Sequence, residues 1–260
     1  MKRIFFLSLG LGLGLLACNN GADKKAADSP KNTDWIQQNL KGRVQEIDET
    51  STSIDSTGKS KTDSTVTVSI FDEKGYQTQS FTKDSAGKHI TDDMLSHNPD
   101  GTFAEVSHMK GGKQISKLTT EVKDGKYVGG KNYDSTGKQD SYYTDLKTND
   151  YGIVYAGTQH FMSGKVKSTF DMKYDGASFT GGKATDSTGK TTYTGSVKLN
   201  DKKDAAEETS TTDEKGVSKT EVVTYKYELD DKGNWTQRTT SNDKGKATKI
   251  VKRTITYFKD

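Results

Sequence analysis

The chain has 260 residues with 39 lysines and arginines against 36 aspartates and glutamates, a net charge of +3, and only 29% hydrophobic residues. That balance supplies no long basic block, so it argues against a dedicated nucleic-acid surface. It also excludes a thick apolar core, although 12 tyrosines, 9 phenylalanines and 2 tryptophans recur along the chain and argue against disorder.

In chain order, Lys2 and Arg3 open the sequence, Ile4 to Leu16 form an apolar run, and Leu15-Leu16-Ala17-Cys18 closes it. A basic start, an apolar run and a small residue before the cut describe a secretory signal over residues 1–17. The run is too short for a membrane span, which needs about 20 residues. The closing residues resemble the lipobox of bacterial lipoproteins. The resemblance implies cleavage after Ala17, acylation of Cys18 and a protein tethered to a cell-envelope membrane, most simply the outer membrane. Cys18 is the one cysteine, so acylation leaves no thiol for disulfide, redox or metal chemistry.

Residues 18–34 then read as the lipidated cysteine and a polar, flexible tether. Asp34 to Leu40 is expected to form one helical turn with Trp35, Ile36 and Leu40 as a small apolar plug. It opens a β-repeat domain over residues 35–260.

From Gly42 onward one signal dominates. Asp-Ser-Thr-Gly-Lys occurs verbatim at Asp55–Lys59, Asp134–Lys138 and Asp186–Lys190, with variants ending at Gly75, Gly87, Gly216, Gly233 and Gly245. Asn200-Asp-Lys-Lys203 fills an equivalent slot without glycine. Asp at the first turn position accepts backbone N–H groups, and Gly at the fourth takes positive φ without a Cβ clash. A type I turn followed by left-handed glycine connects a hairpin. The turn glycines are about 12 to 14 residues apart, which leaves roughly eight to ten residues per strand.

Between turns the side chains alternate. Val66, Val68 and Ile70 share one face; so do Val166, Phe170, Met172 and Tyr174, then Tyr193, Val197 and Leu199, then Val223, Tyr225, Tyr227 and Leu229. One packed face and one wet face are expected. The fold class is therefore all-β, an antiparallel β-meander of many hairpins, with a single elongated sheet, a curled partial barrel and two stacked sheets all open.

The Asp-x-x-Gly turns with preceding tyrosines, best at Tyr133-Asp134-Ser-Thr-Gly137 and across Tyr225 to Arg238, resemble YD-repeat (Rhs-like) proteins. Leu40 to Ile47 and Lys252 to Tyr257 resemble the opening and close of uncharacterised Bacteroidota lipoproteins with such repeats. Between Lys88 and Glu221 the likeness loosens, and Tyr174 to Gly181 looks partly like a MORN-type unit. The resemblance implies extended β-repeats, an envelope location and occasional roles in carbohydrate binding or cell contact. It implies no toxin function, since no toxin tip follows the repeats.

Chemistry is hard to find. His89, His97, His108 and His160 lack the short spacing of a zinc site, and Asp92-Asp93 and Asp230-Asp231 are pairs rather than a calcium loop. No Gly-x-Ser-x-Gly elbow appears. Tyr142, Tyr143, Tyr151, Tyr155, Phe161, Phe170, Tyr174 and Phe179 cluster mid-chain, expected mainly to line the packed face, with sugar or protein stacking as the rival use. No catalytic residue, metal or cofactor is assigned. The expected function is a non-catalytic, lipid-anchored envelope protein presenting a surface for binding, cell contact or scaffolding, with carbohydrate as one ligand class. Its expected partners are a membrane through the lipid and a glycan or protein, with no nucleic acid. An envelope hydrolase with a site at a sheet fold and a periplasmic assembly factor remain as rivals.

Overall fold

The computed structural model describes residues 31–214 and 216–259; the signal segment, Cys18 and residues 19–30 lie outside them. A four-residue helix, α1 (Asp34–Gln37), precedes 17 strands. They begin with β1 (Val44–Ile54), β2 (Ser60–Thr62), β3 (Thr65–Phe71), β4 (Gln77–Asp84), β5 (His89–His97) and β6 (Phe103–Lys110). Then come β7 (Lys113–Lys123), β8 (Lys126–Asp134), β9 (Gln139–Thr148), β10 (Val154–Phe161), β11 (Val166–Asp175) and β12 (Ser178–Asp186). The last are β13 (Thr191–Leu199), β14 (Ala205–Glu214), β15 (Val217–Leu229), β16 (Trp235–Asn242) and β17 (Ala247–Tyr257).

The reversals fall where the Asp/Gly pattern puts them. In the first, Asp55 N–H donates to Lys59 O and Gly58 N–H to Asp55 O, both at 3.0 Å. The Asp55 carboxylate meanwhile accepts Thr57 N–H at 2.8 Å and Lys59 N–H at 3.0 Å. Lys203, which stands in the glycine slot, adopts φ +64°. Beside most turns the register slips by one residue, as between Thr82/Lys83 and between Glu228/Leu229. That slip is the bulge a left-handed turn residue produces.

From β3 to β17 each strand pairs antiparallel with the next, and β1 pairs with β2, β3 and β17. β2 extends β3 along the far end of β1, so β2 and β3 act as one broken strand. The meander therefore closes as a 16-strand barrel. This corrects the open sheet: none of the three expected arrangements describes a ring without edges. Edge strands carry unpaired backbone groups, and closure satisfies them within the chain.

Register assigns the faces, because residues directly opposite in a ladder point the same way. Leu95, Val106, Leu118, Asn132 and Ser141 lie in one row across five strands. The three apolar clusters, around Val106/Leu118/Tyr143, Phe179/Val197/Ala205 and Val44/Ile47/Phe71, occupy this inward face. Phe170 and Met172, Tyr193 and Val197, and Tyr225 and Tyr227 point inward as the alternation requires, whereas Val166, expected on the same face as Phe170, stands opposite outward His160 beyond a register shift.

Val66, Val68 and Ile70 do not. Val68 stands opposite Asp48, and Ser69 opposite inward Ile47, so the valine-isoleucine face of β3 looks outward. Lys83 reaches Asp48 at 3.3 Å from a position opposite Val66. Phe81 stands opposite Val68, which is 1% exposed, and Lys83 Nζ lies 5.9 Å from the Phe81 ring.

Candidate functional site: a plugged barrel with a tyrosine-lined pocket

Alternate turns lie at opposite ends of a meander, and residues 32–41 cross the end holding the β3–β4, β5–β6, β9–β10, β13–β14 and β15–β16 turns. Trp35 N–H donates to Gly75 O at 3.1 Å, and Gln37 Nε2 donates to Tyr151 O at 3.2 Å. Asn39 Nδ2 donates to Asp204 Oδ1 at 2.8 Å. Asn234 both accepts Lys41 N–H at 2.7 Å and donates to Lys41 O at 2.8 Å. Asp34 Oδ2 accepts Gln77 N–H at 2.6 Å and lies 3.2 Å from His97 Nε2. The expected plug thus exists and closes one mouth. Asn32 to Asp34, at the end of the expected tether, already belong to it.

α1 is short because its sequence sustains only one turn: Thr33 caps it, accepting Ile36 N–H at 3.4 Å, and Asn39 turns the chain at φ +60°. Trp35 then packs against the Leu40/Val44/Ile47/Phe71 cluster, with its indole N–H on Val44 O at 2.8 Å.

Above the plug the inward face turns polar. The Arg253 guanidinium lies 3.4 Å over the Trp235 ring and its Nε donates to Glu49 at 2.6 Å. Burial pushes Arg253 below the usual arginine range, and the Glu49 carboxylate opposes that shift. Arg238 sits 5.1 Å over the other Trp235 contact and 5.5 Å over Tyr225, whose hydroxyl donates to Glu208 at 2.7 Å. Thr67, Glu221 and Lys249 face inward yet are exposed, so water enters from the unplugged mouth.

The outward face carries charged pairs in several sectors and one apolar stretch, Val66, Val68, Ile70, Phe81 and Met94 across β3 to β5. Cross-strand pairs stud it: Glu105–Lys117 at 2.5 Å, Glu121–Lys131 at 2.5 Å and Lys198–Glu207 at 2.7 Å. Asp171 stands opposite Lys183. A membrane-spanning barrel needs an outward apolar band, and a lysine or arginine at its midplane costs about 2–4 kcal/mol. This wall suits water, with apolar residues turned inward. Among the described residues no helix is long and apolar enough to cross a membrane.

A pocket of about 420 Å³ opens at the plugged mouth between the β9–β10 and β11–β12 turns. Tyr151, Tyr155 and Tyr174 line it with Asn149, Asp150 and Lys173. Asn149 sets the geometry: its Oδ1 accepts Tyr151 N–H at 3.0 Å and Ile153 N–H at 3.1 Å, while its Nδ2 donates to Gly176 O at 3.1 Å. One asparagine thereby ties the two turns together. Tyr174 lies edge-on to Phe179 at 5.7 Å, and burial raises its hydroxyl above the usual tyrosine range, with Tyr193 adding to the rise. The depression is open to solvent and sets tyrosine rings beside amide, carboxylate and ammonium groups.

The mid-chain aromatics divide accordingly. Tyr143 and Phe179 are buried, and Phe170 and Tyr174 pack against core clusters. Tyr142 stacks on His160 at 4.9 Å on the outside, and Tyr151 and Tyr155 line the pocket. Nothing in the alternation separates the last two from core tyrosines; the separating signal is their place beside an Asn-Asp turn.

The histidines disperse: His89 pairs with Asp92 at 2.5 Å, His108 with Asp93 at 2.6 Å and His97 with the plug. Among the described residues no three His, Cys, Asp or Glu side chains converge to hold a metal ion. Cys18 lies outside those residues.

No protein-family model matches the chain, and no curated protein matches it. Its architecture is that of solved porin-like barrels. A porin-like protein from Bacteroides uniformis matches 82% of this chain and 96% of its own at 13% identity, TM-score 0.55. One from Bacteroides vulgatus covers 83% and 98% at 10% identity, TM-score 0.44. The Tc holotoxin pore of Photorhabdus luminescens covers 71% of this chain and 9% of its own at 11% identity, TM-score 0.28. At 13% identity the likeness establishes the closed β-barrel fold.

Proposed function

We propose that this chain is a non-catalytic envelope protein, anchored through acylated Cys18, whose water-facing barrel holds a carbohydrate in the Tyr151/Tyr155/Tyr174 pocket. The observation that carries the reading is that pocket, in which aromatic faces and hydrogen-bonding groups meet beside a plug. Sugars present apolar ring faces and hydroxyl edges, which tyrosine rings and amide or carboxylate groups recognise together. A barrel of porin-like fold supports an envelope setting; the charged outer wall supports the lipid, rather than the strands, as the membrane attachment. Hydrolysis would ask for a second carboxylate flanking the sugar, and the pocket lining brings Asp150 alone.

The test is a glycan array followed by calorimetry with residues 19–260 and the Tyr155→Ala variant. A glycan that binds the parent and loses about tenfold or more on substitution supports the site, since one stacked ring contributes about 1 kcal/mol beyond its buried area. Equal binding by parent and variant, or an array without a hit, overturns it.

A further inference from the structure

The turns at the two mouths share one backbone geometry but differ in the residue after the left-handed position. At the plugged mouth that residue is mostly buried, as in Tyr76, Thr102, Ala177, Asp204 and Asn234. At the open mouth it is lysine at Lys59, Lys88, Lys113, Lys138 and Lys165, all exposed. Lys190 and Lys246 continue the pattern, Lys190 bound to Asp213 at 2.9 Å and Lys246 to the Ser56 carbonyl. Exposure alone explains a polar residue here; it does not explain lysine in turn after turn.

Lys117, Lys131 and Lys198 on the wall meet carboxylates across the ladder, whereas those five rim lysines have no carboxylate oxygen within ion-pair distance among the described residues. Of the rim's aspartates, Asp213 pairs with Lys190, Asp243 lies beside Lys244, and Asp55, Asp84, Asp134 and Asp186 each turn one oxygen onto their own turn's backbone. The β6–β7 turn, Lys110-Gly-Gly-Lys113, and the β10–β11 turn, Phe161-Met-Ser-Gly-Lys165, carry no aspartate. Asn242 stands in for it at the β16–β17 turn, beside Lys244 and Lys246.

We infer that the open mouth is a docking ring for an acidic polysaccharide. Neighbouring hairpins are two strand spacings apart, about 10 Å, comparable with the screening length at physiological salt. A small anion therefore meets one lysine, while a polymer with repeating carboxylates meets several. Ser56, Ser135 and Ser187 beside those lysines offer hydroxyls for sugar hydroxyls. The described chain begins at the opposite mouth, so the lysine ring lies at the other end of the barrel from residue 31. The inference does not depend on the tyrosine pocket.

The experiment measures retention of the purified full chain on immobilised polygalacturonate, with neutral amylose, duplex DNA and phosphatidylserine vesicles in parallel. One variant carries K59Q, K88Q, K113Q, K138Q and K165Q. A control of equal net charge carries K74Q, K126Q, K202Q, K226Q and K252Q, and unchanged melting curves verify both folds. The expected result is salt-sensitive binding to polygalacturonate, weakened roughly tenfold or more in the rim variant and less than about twofold in the control. Equal weakening in both variants, absence of binding by the parent, or tighter binding to vesicles or DNA overturns the inference.

Discussion

At the scale of single residues, Gly58 and Gly75 occupy the same turn position at φ +87° and +93° but do different work. A Cβ at Gly58 meets open space, whereas one at Gly75 lies 2.5 Å from Trp35 Cε3. Gly58→Ala is expected to cost only backbone strain, about 1–2 kcal/mol. Gly75→Ala adds displacement of Trp35 and should cost at least about twice that; denaturant unfolding of the two variants reads the difference. The turn aspartates make a second residue-scale prediction. Asp55, Asp134 and Asp186 are held below the usual carboxylate range, foremost by the hydroxyls of Thr57, Thr136 and Thr188. A carboxylate lowered on folding stabilises the fold above its unfolded value, about 3.9, and that contribution disappears as pH falls through the folded value. Asn149, Asn200 and Asn242 already make the same backbone contacts in sister turns. The D55N/D134N/D186N variant should therefore melt close to the parent at neutral pH and lose less on acidification below about pH 4; parallel melting curves at every pH would refute this.

At the scale of elements, α1 matters through its position rather than its length. One helical turn carries Trp35 into the inward face, and residues 32–41 around it bond five turns of that mouth. Trp35 is half-buried, so Trp35→Ala should remove about 2 kcal/mol, less than the usual cost of deleting a fully buried ring. Hydrogen exchange should quicken at the β3–β4 and β9–β10 turns together, because the plug joins them. A loss below about 0.5 kcal/mol, with exchange unchanged, would mean the plug is an appendage. The Trp35/Ile36/Leu40 grouping was legible in the sequence, since three apolar residues in a polar stretch need a surface to cover. Its destination was not, because Gly75 lies tens of positions away and Tyr151, Asp204 and Asn234 lie 114 to 193 positions from their partners in it.

At the scale of the whole molecule, a porin-like fold and a charged outer wall point to different solvents, and the wall decides. A barrel in lipid spends its apolar residues outward around its whole girth; this one places Trp35, Phe71, Tyr143, Phe179 and Trp235 inside and confines its outward apolar stretch to β3 to β5. The chain from residue 19 onward should stay in the aqueous phase on Triton X-114 separation and need no detergent, while the acylated protein moves to the detergent phase. Partition of the lipid-free form into detergent would overturn that assignment. The lysine rim and the plugged mouth give the same barrel two unlike ends, which suits a molecule fixed at one end and exposed at the other.

The sequence by itself determined the reversals, down to Lys203 in a glycine slot, and the inward faces of β11, β13 and β15, because both are local: a turn needs four residues and an alternation needs six. It misjudged β3, whose Val66, Val68 and Ile70 look outward, because facing depends on which partner residue lies opposite, here Asp48. Closure, the plugged mouth and the pocket came only with the tertiary structure. The pairing of β1 with β17 joins residues some two hundred positions apart, and no period in the chain encodes whether a long meander ends in two free edges or binds its first strand to its last.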